Sequence, residues 1–310
     1  MTHIPSSSAG LISLHAGHLV LELAPEVGGA IAAFYQLRDG VRFDWLRPAS
    51  AKALQKREPE GMASFPLVPF CNRIRNGRAV FEDKQIAMPP NRGTSPHTIH
   101  GVGWQLPWTV QDFSSRHAVL ALDCASSIWP YRFHARQHFA LFEDRVEVAI
   151  EVENRDAVSM PFGAGHHPYL PHRPGTYLQT EVERMWVGDD EVMPVALKKT
   201  PVVDQLRRGV LVSDVVADNN FTGWNRRAHV TWSGAGRGGS DASLTLTASS
   251  PLDYFVLYSP RGQDHFCIEP VSNCTDWLNL GEYPQAAVGG GVLRPGEMRR
   301  FEFGMAAYSE

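Results

Sequence analysis

The segment Arg145-Val146-Glu147-Val148-Ala149-Ile150-Glu151-Val152-Glu153 constrains this chain more than any other. Apolar and charged residues alternate with period two. That places the valines and the isoleucine on one face of a strand and the glutamates on the other. One buried and one wetted face is the mark of an antiparallel sheet. Phe133 to Phe142 and Ser243 to Ala248 alternate in the same way. His18 to Leu23 and Ala30 to Leu37 read as strands either side of the turn Pro25-Glu26-Val27-Gly28-Gly29. Phe255 to Tyr258 and His265 to Ile268 are short continuous apolar runs, suited to strands covered on both faces. Residues 47–61 predict a short helix or an irregular excursion, and no long amphipathic helix is visible. Strands that arrive at short intervals, split by Gly, Pro, Asn and Asp, predict an all-β sandwich or barrel with few short helices. Arg237-Gly238-Gly239-Ser240 reads as a hairpin tip rather than a linker. The expectation is one large antiparallel β domain over residues 1–310.

A chain of 310 residues that is 43% hydrophobic can bury a large core. Its 29 basic and 33 acidic residues are well mixed, with a net charge of -4 and no basic block, so no nucleic acid partner is expected. No apolar run reaches membrane-spanning length. The N-terminus lacks a basic start and a long apolar segment, so no signal peptide is expected. Cys71, Cys124, Cys267 and Cys274 are scattered without a Cys-x-x-Cys pair and read as reduced and buried, in keeping with a cytoplasmic location. His166, His167 and His172 have poor metal-ligand spacing, and no metal is expected.

Four segments carry candidate chemistry. In Phe65 to Trp104, Asn76-Gly77 predicts a two-residue hairpin turn that holds Arg73 on a strand beside Asn72. The loop that follows delivers His100 in front of Gly101 and Gly103, with Trp104 and Trp108 behind. An arginine on a strand and a histidine on a glycine-lined turn predict a polar pocket walled by indoles, against the plainer reading of a surface arginine and a loop histidine. Second, His166-His167-Pro168-Tyr169 puts adjacent histidines on opposite faces of a strand, and the proline keeps His167 extended. Such a histidine is either a fixed acid or base or a buried group bonded to backbone. Third, Asp218-Asn219-Asn220 reads as a turn by composition, or as an acceptor for substrate hydroxyls. Fourth, Glu269 follows an apolar run and so ends a buried strand. Burial raises a carboxylate's pKa toward the range of a useful base; a structural ion pair is the alternative.

Together these segments resemble the aldose 1-epimerases, or galactose mutarotases, nearly end to end. The resemblance is carried by Pro25 to Gly29, Asn72-Arg73, His100-Gly101, His167 to Tyr169, Asp189 to Pro194, Asp218 with Phe221-Thr222-Gly223-Trp224, and Glu269-Pro270. Ser-Phe-Pro-Leu-Val-Pro and Asn-Arg-Ile-Arg-Asn-Gly-Arg resemble a bacterial branch. The resemblance implies a galactose mutarotase-like supersandwich with the sugar in an open cleft. It implies interconversion of the α and β anomers of a free hexose, with Glu269 as base, His167 as acid, and Arg73, His100 and Asp218 holding hydroxyls. No cofactor is then required, since neither hydride nor electron moves. Two features depart from the family pattern. His166 precedes the expected acid, and His100 is followed by Gly-Val-Gly-Trp rather than a double glycine.

The expected geometry has Glu269 and His167 facing each other across a gap as wide as a pyranose. One of Trp104, Trp108 or Trp224 is a candidate platform for the sugar, with core packing as its alternative. Rival readings are a glycoside hydrolase using Asp218 and Glu269, and a non-catalytic carbohydrate-binding protein. The natural aldose, its phosphorylation and the choice of monomer or homodimer are not legible. Arg73, Arg75, Arg78 and Arg92 could receive a phosphate, but strand alternation separates them.

Overall fold

The computed structural model describes residues 10–125 and 128–309. The first nine residues, on which the signal-peptide reading partly rests, lie outside that range. Two large antiparallel sheets face each other. One has nine strands and runs from Thr109–Phe113 at one edge, through Phe133–Leu141, Arg145–Asn154 and Met298–Ser309, to Val210–Leu211 at the other. The second has eight strands, with Ala217–Thr222, Tyr254–Ser259 and His265–Val271 as consecutive neighbours near its centre. A four-stranded sheet from Ile12–Ala16 to Val41–Asp44 flanks them. The strands expected from alternation are present to within a residue or two of the expected bounds. Arg237–Gly239 is the tip of a hairpin between Arg227–Trp232 and Ala242–Ala248. No helix among the described residues is long and apolar enough to cross a membrane.

The alternation does the packing. Val146, Val148, Ile150 and Val152 from the nine-stranded sheet share one apolar core with Phe255, Leu257, Phe266 and Ile268 from the other. Each such side chain contributes about 1.5–3 kcal/mol on burial. Residues of opposite parity on the eight-stranded sheet point away from that core. Val256, Cys267 and Val271 join Phe65, Trp104 and Tyr169 in a second, smaller cluster. Glu269 has the parity of Cys267 and Val271, so its carboxyl emerges on this second side. Both faces of the strand are covered, as the continuous apolar run required.

Two expectations fail locally. Asn76 and Gly77 do take left-handed backbone, at φ 52° and 61°, but they do not close a hairpin. Arg73–Ile74 pairs with Thr98–Ile99, and Arg78–Phe81 pairs with Lys84–Ala87 around Glu82 and Asp83. Tertiary contacts decide this. The Asn76 N–H donates to His97 Nδ1 at 3.1 Å, and the Met88 N–H donates to the Gly77 carbonyl at 2.8 Å. The corner is thus occupied by a later segment. Likewise Asp218-Asn219-Asn220 is no turn. It lies within the strand Ala217–Thr222, held between Arg184–Gly188 and Tyr254–Ser259. Neighbouring backbone outweighs the weak strand propensity of Asp and Asn.

Residues 47–61 form the helix Ala51–Lys56, capped by the Ser50 side chain, and the 3-10 turn Pro59–Gly61. A second helix, Pro201–Arg208, starts on a proline at its first turn and buries Val203 and Leu206. Its eight residues are too short for a periodic pattern to declare itself.

Candidate active site

A narrow cleft lies on the second side of the eight-stranded sheet. Register supplies its floor. Asp218 pairs with Tyr258, Tyr258 with Cys267, and Cys267 with Tyr169, while Glu269 pairs with Val256 one step along. Asp218, Tyr258, Tyr169 and Glu269 therefore share one face and line the cleft.

The wall comes from Asn72, Arg73 and His100. Asn72 and His100 both adopt left-handed backbone, at φ 60° and 61°. Asn and His tolerate this better than most residues. The strain is held by a reciprocal lock: the His100 N–H donates to the Asn72 carbonyl at 2.9 Å, and the Asn72 N–H donates to His100 Nδ1 at 3.1 Å. Because Nδ1 accepts, Nε2 carries the ring proton. Burial, then the nearby His167 and Arg73, depresses the His100 pKa, so the ring is a neutral donor. Gly101 must be glycine here; at φ 67°, a Cβ would lie 2.2 Å from the Val68 carbonyl oxygen. The Pro25 to Gly29 turn buttresses this wall from behind, since a Cβ on Gly28 would sit 2.0 Å from the Trp104 carbonyl oxygen. Arg73 is oriented by Asn72 Oδ1 at 3.1 Å and by Asp218 Oδ2 at 3.2 Å. The Asp189 to Pro194 motif lies outside the cleft and holds the neighbouring Arg75 at 3.0 Å.

His166 and His167 point to opposite sides, as alternation requires. His166 is fully buried, with Nδ1 bonded to Ser64 Oγ and Nε2 to Gln137 Oε1 at 3.2 Å. His167 faces the cleft. Its ring stacks between Phe65 and Tyr169, with both centroids at 4.7 Å. Trp104 stacks behind Phe65, and the Arg47 guanidinium covers Tyr169 at 4.0 Å. This column fixes the imidazole in one orientation. The three tryptophans are not walls of the cleft. Trp104 and Trp108 donate to the Ile99 and Gly103 carbonyls, and Trp224 packs on Phe255 in the inter-sheet core. The aromatic lining is Phe65, Tyr169 and Tyr258 instead. Nothing in the order of residues distinguished these rings from core.

Glu269 and His167 share the cleft, but no pyranose-wide gap separates them. His167 Nε2 lies 3.2 Å from Glu269 Oε1. Burial, and then the charge of Asp218, pushes the Glu269 carboxyl well above its usual range. Burial also lowers His167 to about 3. Burial thus favours the uncharged arrangement, with the proton on Glu269 and a neutral imidazole. Glu269 Oε2 and His167 Nδ1 are buried and unpartnered. A carboxyl oxygen left in that state is expensive unless a ligand satisfies it.

Residues that sequence reasoning missed are Glu60 and Tyr258, which also line the cleft. Glu60 lies in the non-periodic excursion and Tyr258 ends an apolar run, so neither carried a distinguishing pattern.

Comparison with known proteins adds the family. The aldose 1-epimerase family model matches residues 10–306. The chain belongs to the aldose 1-epimerase family. Among curated relatives, the uncharacterised protein YphB of Escherichia coli K12 is 28% identical over 272 residues, covering 86% of this chain and 89% of that protein. An Escherichia coli K12 crystal structure, provisionally assigned as an aldose 1-epimerase, superposes with a TM-score of 0.84 at 24% identity, covering 97% of this chain and 99% of the other. A galactose mutarotase-like protein from Clostridium acetobutylicum also gives 0.84, at 19% identity and 97% and 95% coverage. These two likenesses show the galactose mutarotase-like sandwich fold.

The buried His166 has a consequence for stability in this family member. Its pKa is about 3 when folded, against an ordinary 6.5. A depressed folded value means that stability is intact above the unfolded pKa and lost as pH falls toward the folded one. On the order of 5 kcal/mol is at stake. The melting temperature should fall between pH 6.5 and acid, and the fall should be shallower in His166→Asn. An identical slope in that variant would remove His166 from the account.

Proposed function

We propose that this aldose 1-epimerase family member interconverts the α and β anomers of a free hexose, with Glu269 and His167 as the proton-transfer pair. The reading takes residues 1–310 as one domain. The observation that carries it is the 3.2 Å contact between a buried carboxyl and a stacked imidazole at the base of a cleft. Ring opening takes a proton from the hydroxyl on C1 and gives one to the ring oxygen. Both oxygens are bonded to the same carbon, so the groups that serve them must be neighbours. Contact between Glu269 and His167 therefore suits the chemistry better than a gap, and the sugar lies over the pair rather than between its members.

The pair holds one proton. Transfer from Glu269 Oε1 to His167 Nε2 makes the carboxylate a base and the imidazolium an acid without changing the net charge of the site. Binding of the C1 hydroxyl to the unpartnered Oε2 favours that form, aided by the Arg73 charge, which lowers the Glu269 pKa. Glu269 then accepts the C1 hydroxyl proton and His167 protonates the ring oxygen. After rotation about C1–C2 the ring closes on the other face with the roles reversed. Each positioned transfer is worth about 10²–10⁴ in rate. Arg73, with Asn72 behind it, the Nε2–H of His100, and Asp218 hold the hydroxyls and fix the ring. Orientation of this kind supplies several further kcal/mol.

Polarimetry on freshly dissolved α-glucose or α-galactose tests the reading directly; release of sugar from nitrophenyl glycosides would favour a hydrolase instead. The pH dependence is a second check. With one shared proton, kcat/KM stays level through neutral pH. It falls in alkali as Glu269 loses its proton, and in acid as the pair gains a second. A rate that rises steadily with pH would show that no acid is needed.

A further inference from the structure

We propose that Glu60 and Arg92 read the C3 and C4 hydroxyls of the sugar and set which C4 epimer this enzyme prefers; the proposal rests on the Glu269–His167 reading. The argument is one of depth. Side-chain exposure rises from 2% at Glu269 and 10% at His167, through 13% at Arg73 and 29% at Asp218, to 44% at Arg92 and 46% at Glu60. All six residues line the same cleft. If C1 and the ring oxygen sit on the deep pair, the opposite edge of a pyranose is C3–C4. That edge meets the mouth, where Glu60 and Arg92 stand.

The two charges are paired, with Arg92 Nε at 2.5 Å from Glu60 Oε1. A carboxylate and a guanidinium side by side present an acceptor beside a donor, which matches two hydroxyls on adjacent carbons. Inversion at C4 turns one of those hydroxyls out of the ring plane and breaks the match.

Both side chains are mounted on held backbone. Arg47 donates to the carbonyls of Glu60 and Met62 at 2.8 and 2.9 Å, and the same guanidinium covers Tyr169 in the column that fixes His167. Asn91, next to Arg92, donates to the Ile99 and Gly101 carbonyls at 2.8 and 3.1 Å and accepts from the Ile99 N–H at 2.8 Å. The Asn91 carbonyl in turn accepts from Gln105. An incidental surface ion pair needs none of this support and is worth little on its own. A binding element at a cleft mouth gains from being pre-organised.

The experiment measures kcat and KM by polarimetry for glucose, galactose and 4-deoxyglucose with the wild type, Arg92→Gln, Glu60→Gln and Arg92→Lys. Removing a charged partner of a hydroxyl should raise KM for the preferred epimer about tenfold. The kcat/KM ratio of the two epimers should move toward one, and the penalty for 4-deoxyglucose should shrink. Arg92→Lys, which keeps charge but loses the fork, should fall between wild type and Arg92→Gln. Variants that melt like wild type and keep its KM and epimer ratio would overturn the proposal while leaving the epimerase reading intact. A wild type that accelerates no aldose would instead overturn the epimerase reading, and this proposal with it.

Discussion

Glu269→Gln should lower kcat/KM for mutarotation by roughly 10²–10⁴, the range for losing a positioned proton acceptor, and leave the fold unchanged. The second half of that expectation follows from burial. Glu269 is 2% exposed, and its carboxyl is pushed well above the ordinary range. Gln is close in shape to the protonated acid that burial favours. A raised folded pKa means that the carboxyl supports stability fully below its unfolded value. That support is lost as pH rises through the folded value. The Gln variant has no proton to lose there, so from neutral pH upward it should melt at or above the wild-type temperature. A variant with wild-type rates would remove Glu269 from the role of base. A variant that is inactive because it is unfolded would contradict the burial argument instead.

His167→Asn should cost a similar factor, chiefly in kcat, while His166→Asn should spare the rate. The two histidines are adjacent in the chain but serve different sides of the strand. His167 stacks between Phe65 and Tyr169 and meets Glu269, whereas His166 is engaged by Ser64 and Gln137. Loss of the stacked ring also removes about 0.5–1.5 kcal/mol of ring contact for each partner, so some drop in melting temperature is expected in His167→Asn. Chemical rescue separates the two effects. Truncation in His167→Ala opens a slot between two aromatic rings, and added imidazole should restore part of the rate. A purely structural loss would not respond to imidazole. If His166→Asn abolishes the rate and His167→Asn leaves it unchanged, the acid lies one residue earlier.

Part of this site is legible in the sequence. Glu269 stood out because a carboxylate after Phe266-Cys267-Ile268 has to emerge from a covered strand, and parity sends it away from the inter-sheet core. The opposed directions of His166 and His167 followed from the same period. Which of the two faces the cleft did not follow. It depends on the segment holding Ala63 and Phe65, whose carbonyls accept the N–H groups of Tyr169 and His167. The local composition around Asp218 is turn-like, and only the strands on either side make it extended. Glu60 and Arg92 lie in segments without periodicity, so no pattern in the chain could have joined them.

What the order of residues determined by itself is the layered β architecture, because period-two burial is a property of each strand alone. What only the tertiary structure decided is the spacing of the proposed proton-transfer pair. Glu269 and His167 touch instead of facing across a sugar's width because antiparallel pairing brings Tyr169 opposite Cys267, carrying the imidazole to the neighbouring carboxyl. A distance between residues a hundred positions apart is set by register and packing, and neither is written in any single stretch of the chain.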